Sequence, residues 1–336
     1  MVSQRDLLVV GGGPVGASLA LALAQSGVDI EVLEARASIA DSTDERTLAI
    51  SHGTRLIFER LGVWRAIGTP TPIETIHVSQ RGGFGRCLLS AAQSGVPALG
   101  YVLRYADLQR ALGEAMDRCR GIRMSTSVEV ESVTTAPGQA SVVCSDAGIP
   151  RTISARLLVI ADGGTRLAEQ AGATITTRKY LQQAIVGVVA SSRPPGFRAF
   201  ERFTPHGPVA LLPFEQRYAF VWTTPPEAAA DLVDLPAPDF IAALQDHFGD
   251  RAGRFIAVGP RARFPLSLRY VRDPVLARTV LLGNAAQALH PIAGQGLNLG
   301  LRDAWDLAQV LLLRAGDDPG SESCLRAYRN ARRPDR

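Results

Sequence analysis

Lysine is nearly missing from this 336-residue chain: Lys179 is the only one, so almost all of its 36 basic side chains are arginine. Set against 32 acidic residues they leave a net charge of +4, with no basic tail, which argues against a nucleic-acid binder. Arginine suits phosphate contacts, but genomic base composition produces the same bias, so the bias alone assigns nothing. Cysteine is scarce. Cys87, Cys119, Cys144 and Cys324 are far apart and form no C-x-x-C pair, which excludes a zinc knuckle or a disulfide scaffold and favours a reducing compartment. Long apolar runs are absent too, since stretches such as Leu7–Val10 and Val310–Leu313 fall far short of the roughly 20 residues that cross a bilayer. Asp6 and the glycines at 11–13 interrupt what would otherwise pass for a signal peptide. The expectation is a cytoplasmic protein without a metal site or a spanning segment.

What is present is an alternation of strand and helix signals. Asp6–Val10 is a short apolar run ending in glycines, Pro14–Ser26 is rich in Ala and Leu, and Ile30–Glu34 is a second apolar run, which together read as β-α-β with a tight first turn. A helix is expected over Ala106–Arg120, followed by strands over Met124–Val133 and Gln139–Cys144 around Pro137-Gly138. Leu157–Ala161 is fully apolar and ends in Asp162-Gly163, the pattern of a central parallel strand whose carboxyl end meets a ligand. From Gln182 to Thr224 strand-like runs are broken by prolines, and Val280–Gly283 then returns to the buried-strand pattern before a helix over Leu297–Arg314. The reading is an α/β protein in three parts. Residues 1–180 form a Rossmann-like dinucleotide-binding domain with a small insertion near 70–100. Residues 181–275 form an inserted mixed or antiparallel sheet domain, and residues 276–336 return to the first domain.

Gly11-x-Gly13-x-x-Gly16 lies after a strand and opens a helix. The first glycine allows the tight turn, the second lets backbone approach a pyrophosphate, and the third permits close helix–strand packing. Glu34, at the end of the second strand, can accept hydrogen bonds from a ribose diol and would repel a 2′-phosphate, so the adenosine of FAD or NAD is expected there. Asp162-Gly163 and Gly283-Asn284 place two further polar turns at strand ends. The second leads into the glycine-rich stretch His290–Ala304, where Gly296 and the N–H groups of Leu297 and Asn298 open a helix beside a flat ligand.

The glycine motif, the Asp-Gly turn and the run from Gly283 to Asp303 resemble the three signatures of single-component FAD-dependent aromatic hydroxylases of the para-hydroxybenzoate hydroxylase fold. Asp44–Ser51, His77–Gly82 and Ala199–Pro213 resemble the 2-polyprenyl-6-methoxyphenol hydroxylase branch found in ubiquinone biosynthesis. The resemblance implies FAD held by Gly11, Gly13, Gly16 and Glu34, with Arg46 and Arg104 on its phosphate or ribityl part. It also implies backbone of Val130 at the adenine, Asp162, Gly283 and Asn284 along the cofactor, and Gly296, Leu297 and Asn298 at the isoalloxazine. Asn284 departs from the wider family, which carries Asp there; the amide keeps an acceptor oxygen and loses the charge.

The implied reaction uses NADPH or NADH as transient reductant and O2 to hydroxylate a polyprenylated phenol through a flavin hydroperoxide. The cofactor carries the hard step, so no nucleophile triad is needed. His206 and His290 are the weak acid–base candidates, and Phe203, Leu211, Phe214, Phe220 and Trp222 the candidate cavity wall. A substrate of this kind implies peripheral contact with the inner face of a membrane, or membership of a biosynthetic assembly. The basic stop at Arg332–Arg336 leads to the expectation of a truncated C-terminal helical region. A hydroxylase of another aromatic, or a low-activity scaffold of the assembly, are the alternatives.

Overall fold

The computed structural model describes residues 4–42, 44–146, 148–289 and 295–335. Its first layer grows from β1 (Gln4–Val10), helix α1 (Pro14–Leu23) and β2 (Ile30–Leu33). Leu7, Leu8 and Val9 are fully buried, as expected of a parallel strand covered on both faces. The parallel strands run in the order Ile122–Ser125, β2, β1, Ile149–Ile160 and Thr279–Leu281. The expected strand over Met124–Val133 is in fact two, Ile122–Ser125 and Val128–Ala136, separated where Ser127 takes φ 56°. The second pairs with Gln139–Asp146, which in turn pairs with the first half of Ile149–Ile160.

The second sheet has the strand order Gln287–Ala288, Phe255–Val271, Ile175–Ser191, Arg217–Thr224, Val209–Phe214, Arg198–Phe203, Thr75–Gln80 and Arg86–Ser90. The last two come from the 70–100 segment, which therefore extends this sheet. The expected boundary at 180/181 falls inside the continuous strand Ile175–Ser191, at a bulge where the register shifts between Lys179 and Gln183 and Leu181 takes φ 54°. Likewise Val275–Leu276 pairs with Thr279–Leu281 and so lies in the first sheet, placing the return before residue 275.

Helices Pro226–Asp234 and Ala237–Phe248 cover one face of the second sheet, burying Ile185, Phe200, Leu211, Phe220 and Trp222 against Phe240, Leu244 and Phe248. The helix Gln295–Leu313 packs back against α1, with Gly300 so close to Gly283 that a Cβ would stand 2.9 Å from its Cα.

The helix Glu322–Ala331 is held by a buried ionic cluster. Arg332, 1% exposed, donates to Asp303 at 2.6 Å and to Asp306 at 2.7 Å, and also reaches Asp335. Burial of the guanidinium is outweighed by these carboxylates, which raise its pKa further. Removing the cation would leave Asp303, itself fully buried, without this counter-charge. Arg332→Ala should therefore destabilise the fold by about 3–5 kcal/mol. Urea unfolding monitored by circular dichroism checks this, and a loss under about 1 kcal/mol, the range of an exposed pair, would contradict it.

Candidate functional site

The carboxyl ends of the parallel strands are tied into one edge. Gly11 N donates to Leu33 O at 2.8 Å, Ala161 N to Val10 O at 2.8 Å, Leu282 N to Ile160 O at 2.9 Å and Glu34 N to Ser125 O at 2.9 Å. Gly11, Glu34, Asp162, Gly283 and Asn284 thus lie along a single crevice, on both sides of the point where the strand order reverses. α1 opens there with Gly13 as its N-cap and no capping side chain, leaving first-turn N–H groups for an anion.

The glycines test whether a dinucleotide fits. A Cβ on Gly11 would stand 2.5 Å from Ala161 O, and one on Gly16 2.0 Å from Gly11 O, so both are demanded by the fold itself. A Cβ on Gly13 would meet nothing within 4 Å: it projects into open space before the helix N-terminus, where a pyrophosphate needs close backbone. The residues present therefore fit FAD.

Glu34 is buried beside this turn. Its Oε1 accepts from Arg36 N and Nε, both at 2.9 Å, and its Oε2 from Gly12 N at 2.8 Å and Arg36 Nη2 at 3.1 Å. Burial pushes the carboxyl pKa up, but the Arg36 guanidinium and these N–H donors outweigh it and hold the group below the usual carboxylate range. All four acceptor positions are used. A ribose diol reaches Glu34 only by displacing Arg36, whose side chain is exposed enough to swing away. Arg36 carried no signal in the sequence beyond standing two residues after the acid.

The other expected residues divide. Asp162 is exposed and accepts from Gly164 N at 3.0 Å, shaping its own turn. Asn284 is exposed with its Cβ facing Gly163. Arg269, from the second sheet, donates to the carbonyls of Gly163 and Asn284, both at 3.2 Å, and bridges the two turns; sequence reading missed it because its strand belongs to the other domain. Gly296, Leu297 and Asn298 occupy the first turn of the helix Gln295–Leu313, at its positive end. The Asn298 side chain is turned inward, accepting from Ser51 N and Thr54 Oγ1 and donating to Ala49 O.

Arg46 and Arg104 are neighbours, Tyr105 N donating to Arg46 O at 2.8 Å, but each side chain has partners of its own. Arg46 pairs with Asp44 and lies over Tyr105 and Phe264, while Arg104 pairs with Glu215 at 2.5 Å and lies over Phe214. The Val130 carbonyl is engaged by Arg166, another residue the sequence reading missed. His206 is exposed in the turn after Arg198–Phe203, its N–H donating to Thr204 Oγ1. The buried histidine of that region is His247, stacked 4.8 Å from Trp222; burial lowers its pKa. His290 lies outside the described residues.

The expected cavity wall needs correction. Leu211, Phe220 and Trp222 point to the helix-covered face and are core. Alternation along the strands puts Val186, Val188, Ala210, Leu212 and Val221 on the opposite face, where Val188 and Leu212 pack with Phe214 and Ala219 against Ile73 and Val102 while the row through Val186, Val221 and Ala210 stays half-buried. Phe264 and Phe214 on this same face meet Arg46 and Arg104, and Arg269 ties the sheet to the turns at Gly163 and Asn284. A half-open apolar face of this kind suits contact with an apolar ligand.

A family model described as an FAD binding domain matches residues 4–335. Ubiquinone hydroxylase UbiL of Rhodospirillum rubrum is 36% identical across 98% of this chain and 78% of its own length. The 3-demethoxyubiquinol 3-hydroxylase of Escherichia coli is 31% identical across 91% of this chain and 79% of its own. Among solved structures, pqsL of Pseudomonas aeruginosa, a probable FAD-dependent monooxygenase, matches with a TM-score of 0.78 over 99% of this chain and 93% of that one, at 22% identity.

The glycine geometry separates cofactor loss from fold loss. Gly13→Ala should leave the apoprotein as stable as the parent and weaken FAD binding, whereas Gly16→Ala should destabilise the apoprotein by about 1–3 kcal/mol through overpacking. Melting curves of the apoproteins with fluorescence titration of FAD distinguish them; equal damage from both would refute the assignment. Glu34→Ala, removing charge-assisted hydrogen bonds of about 1.5–3 kcal/mol, should weaken FAD by about tenfold or more, and an unchanged titration would place the ribose elsewhere.

Proposed function

Since the chain belongs to the FAD binding domain family and is an FAD-dependent monooxygenase, we propose that it hydroxylates a polyprenylated phenol in ubiquinone biosynthesis. The reading rests above all on the half-open apolar face of the second sheet, a sheet that Arg269 ties to the Gly163 and Asn284 turns of the nucleotide edge. Ubiquinone hydroxylases at 31–36% identity support it.

Bound FAD supplies the redox chemistry, taking reducing equivalents from NADPH or NADH and activating O2. The chain's own residues bind, orient and exclude water. Gly11, Gly13 and the α1 N-terminus would cradle the pyrophosphate, Glu34 would receive the ribose once Arg36 moves aside, and the first turn at Gly296–Asn298 would face negative charge with backbone N–H groups. Val186, Val188, Leu212 and Val221 would hold the ring and the start of the tail in a dry setting. The sequence carries a single glycine-rich nucleotide fingerprint, so the nicotinamide would bind transiently over the flavin.

A tail of this kind lies in a bilayer, and no helix among the described residues is long and apolar enough to cross one. The hairpin between Thr75–Gln80 and Arg86–Ser90 suits surface contact: Phe84 at its tip is fully exposed, Leu88 and Leu89 are half-exposed, and Arg81 and Arg86 flank them.

Two outcomes are expected. With NADPH or NADH, FAD and 18O2, the purified protein should add one labelled oxygen to 2-geranyl-6-methoxyphenol, read by mass spectrometry; peroxide formation with unaltered phenol would refute the reaction. Phe84→Glu should reduce co-sedimentation with phosphatidylglycerol vesicles while leaving FAD content unchanged, and equal sedimentation would remove the hairpin from membrane contact.

A further inference from the structure

The half-open face of the second sheet carries one carboxylate. Glu201, in the strand Arg198–Phe203, stands opposite Ala210 on one side and Val78 on the other. The row continues through Val221, Val186 and Ala262. Its neighbours two places along its own strand, Ala199 and Phe203, share the face. Arg202, next in sequence, points the other way and reaches Ser79 Oγ.

The charged groups meeting this face are the Arg46–Asp44 pair at Phe264 and, at Phe214, Arg104 and Arg217, which share Glu215. Among the adjoining strand positions on the face, Ile76, Val78, Gln80, Ala210 and Leu212 are uncharged, and the next titratable side chain in the row is Cys87. Among the described residues no cation pairs with Glu201. Burial alone pushes its pKa up to about 7. A carboxylate left without a counter-charge in an apolar wall carries a desolvation cost that the fold could have avoided with a leucine, and such sites are where proton-transfer groups are found.

We propose that Glu201 is the group that receives the phenolic hydroxyl of the substrate and takes its proton. This rests on the hydroxylase reading above and adds the residue that prepares the ring. In the step, the phenolic O–H bond breaks, the proton passes to a Glu201 carboxylate oxygen, and the electron pair stays on the phenolate oxygen. That charge delocalises into the ring and makes its ortho and para carbons nucleophilic towards the oxygen delivered from O2. The carboxylate works only when ionised, so activity falls as pH drops through the Glu201 pKa.

The test uses the FAD-loaded enzyme and 2-geranyl-6-methoxyphenol as probe, with two readouts across the neutral pH range: kcat/KM, and the ultraviolet phenolate band of the probe bound without oxygen. The parent enzyme should show an acid limb centred near 7. Near-isosteric Glu201→Gln should keep its flavin spectrum, lose about 10²-fold in kcat, lose the acid limb, and form the bound phenolate only at higher pH. Glu201→Asp should keep an acid limb at reduced rate, which a merely structural carboxylate would not require, and it carries the test if the glutamine variant fails to fold. A glutamine variant with an unchanged profile and phenolate band overturns the role of Glu201 and leaves the hydroxylase reading standing. Failure of the parent enzyme to bind or oxidise the probe overturns both.

Discussion

Helix α1 meets β1 through a contact that only glycine can make, for Gly16 lies against the Gly11 carbonyl where a Cβ would stand 2.0 Å away. The other arrangements at the site depend on that approach. It sets the helix N-terminus at the carboxyl edge of the sheet, leaves Gly13 facing open space, and lets Gly12 donate to the buried carboxylate of Glu34. Gly300 against Gly283 repeats the device from the far end of the chain, drawing the helix Gln295–Leu313 onto the same edge beside Val15. Two segments separated by nearly the whole sequence thus bring helix N-termini to one edge, a fixed positive potential where a flavin's negative charges would lie.

The second sheet works by contrast between its faces. One is sealed by two helices over Phe200, Phe220 and Trp222 and supplies the packing energy of that unit. The other carries Phe203, Phe214 and Phe264 beside smaller aliphatic side chains, and stays half-open along the row from Val186 to Glu201. Gathering Phe200, Phe220 and Trp222 on the sealed side gives that side its packing, and the open side leaves Glu201 in a setting where water screens it poorly.

The two units are joined by more than chain connections. Arg269 crosses from the second sheet to the carbonyls of Gly163 and Asn284, Arg46 lies over Phe264, and Arg104 reaches Glu215. Arg269 thereby ties the second sheet to two turns of the nucleotide edge, while Arg46 and Arg104 tie it to the paired strands Thr47–Ser51 and Gly100–Arg104. With Lys179 the only lysine, this work falls to guanidinium groups, whose planar donors can serve two carbonyls at once.

By itself the sequence determined the first unit. A run of apolar residues, three glycines at set spacing and an acid at the end of the next run specify β-α-β and its dinucleotide edge, because each of these signals is local. The membership of Asp162, Gly283 and Asn284 in that edge followed from the same rule, a buried strand ending in a polar turn. What tertiary structure decided was everything set by register between distant strands. A one-residue step reverses a side chain's face, so composition could not tell that Phe220 and Trp222 are core while Val221 and Glu201 line the opening. Nor could it send Arg104 to Glu215, Arg332 to Asp303, or Arg36 onto the acceptor positions of Glu34. These partners are chosen by how sheets and helices pack, and a side chain's role changes with the face on which packing leaves it.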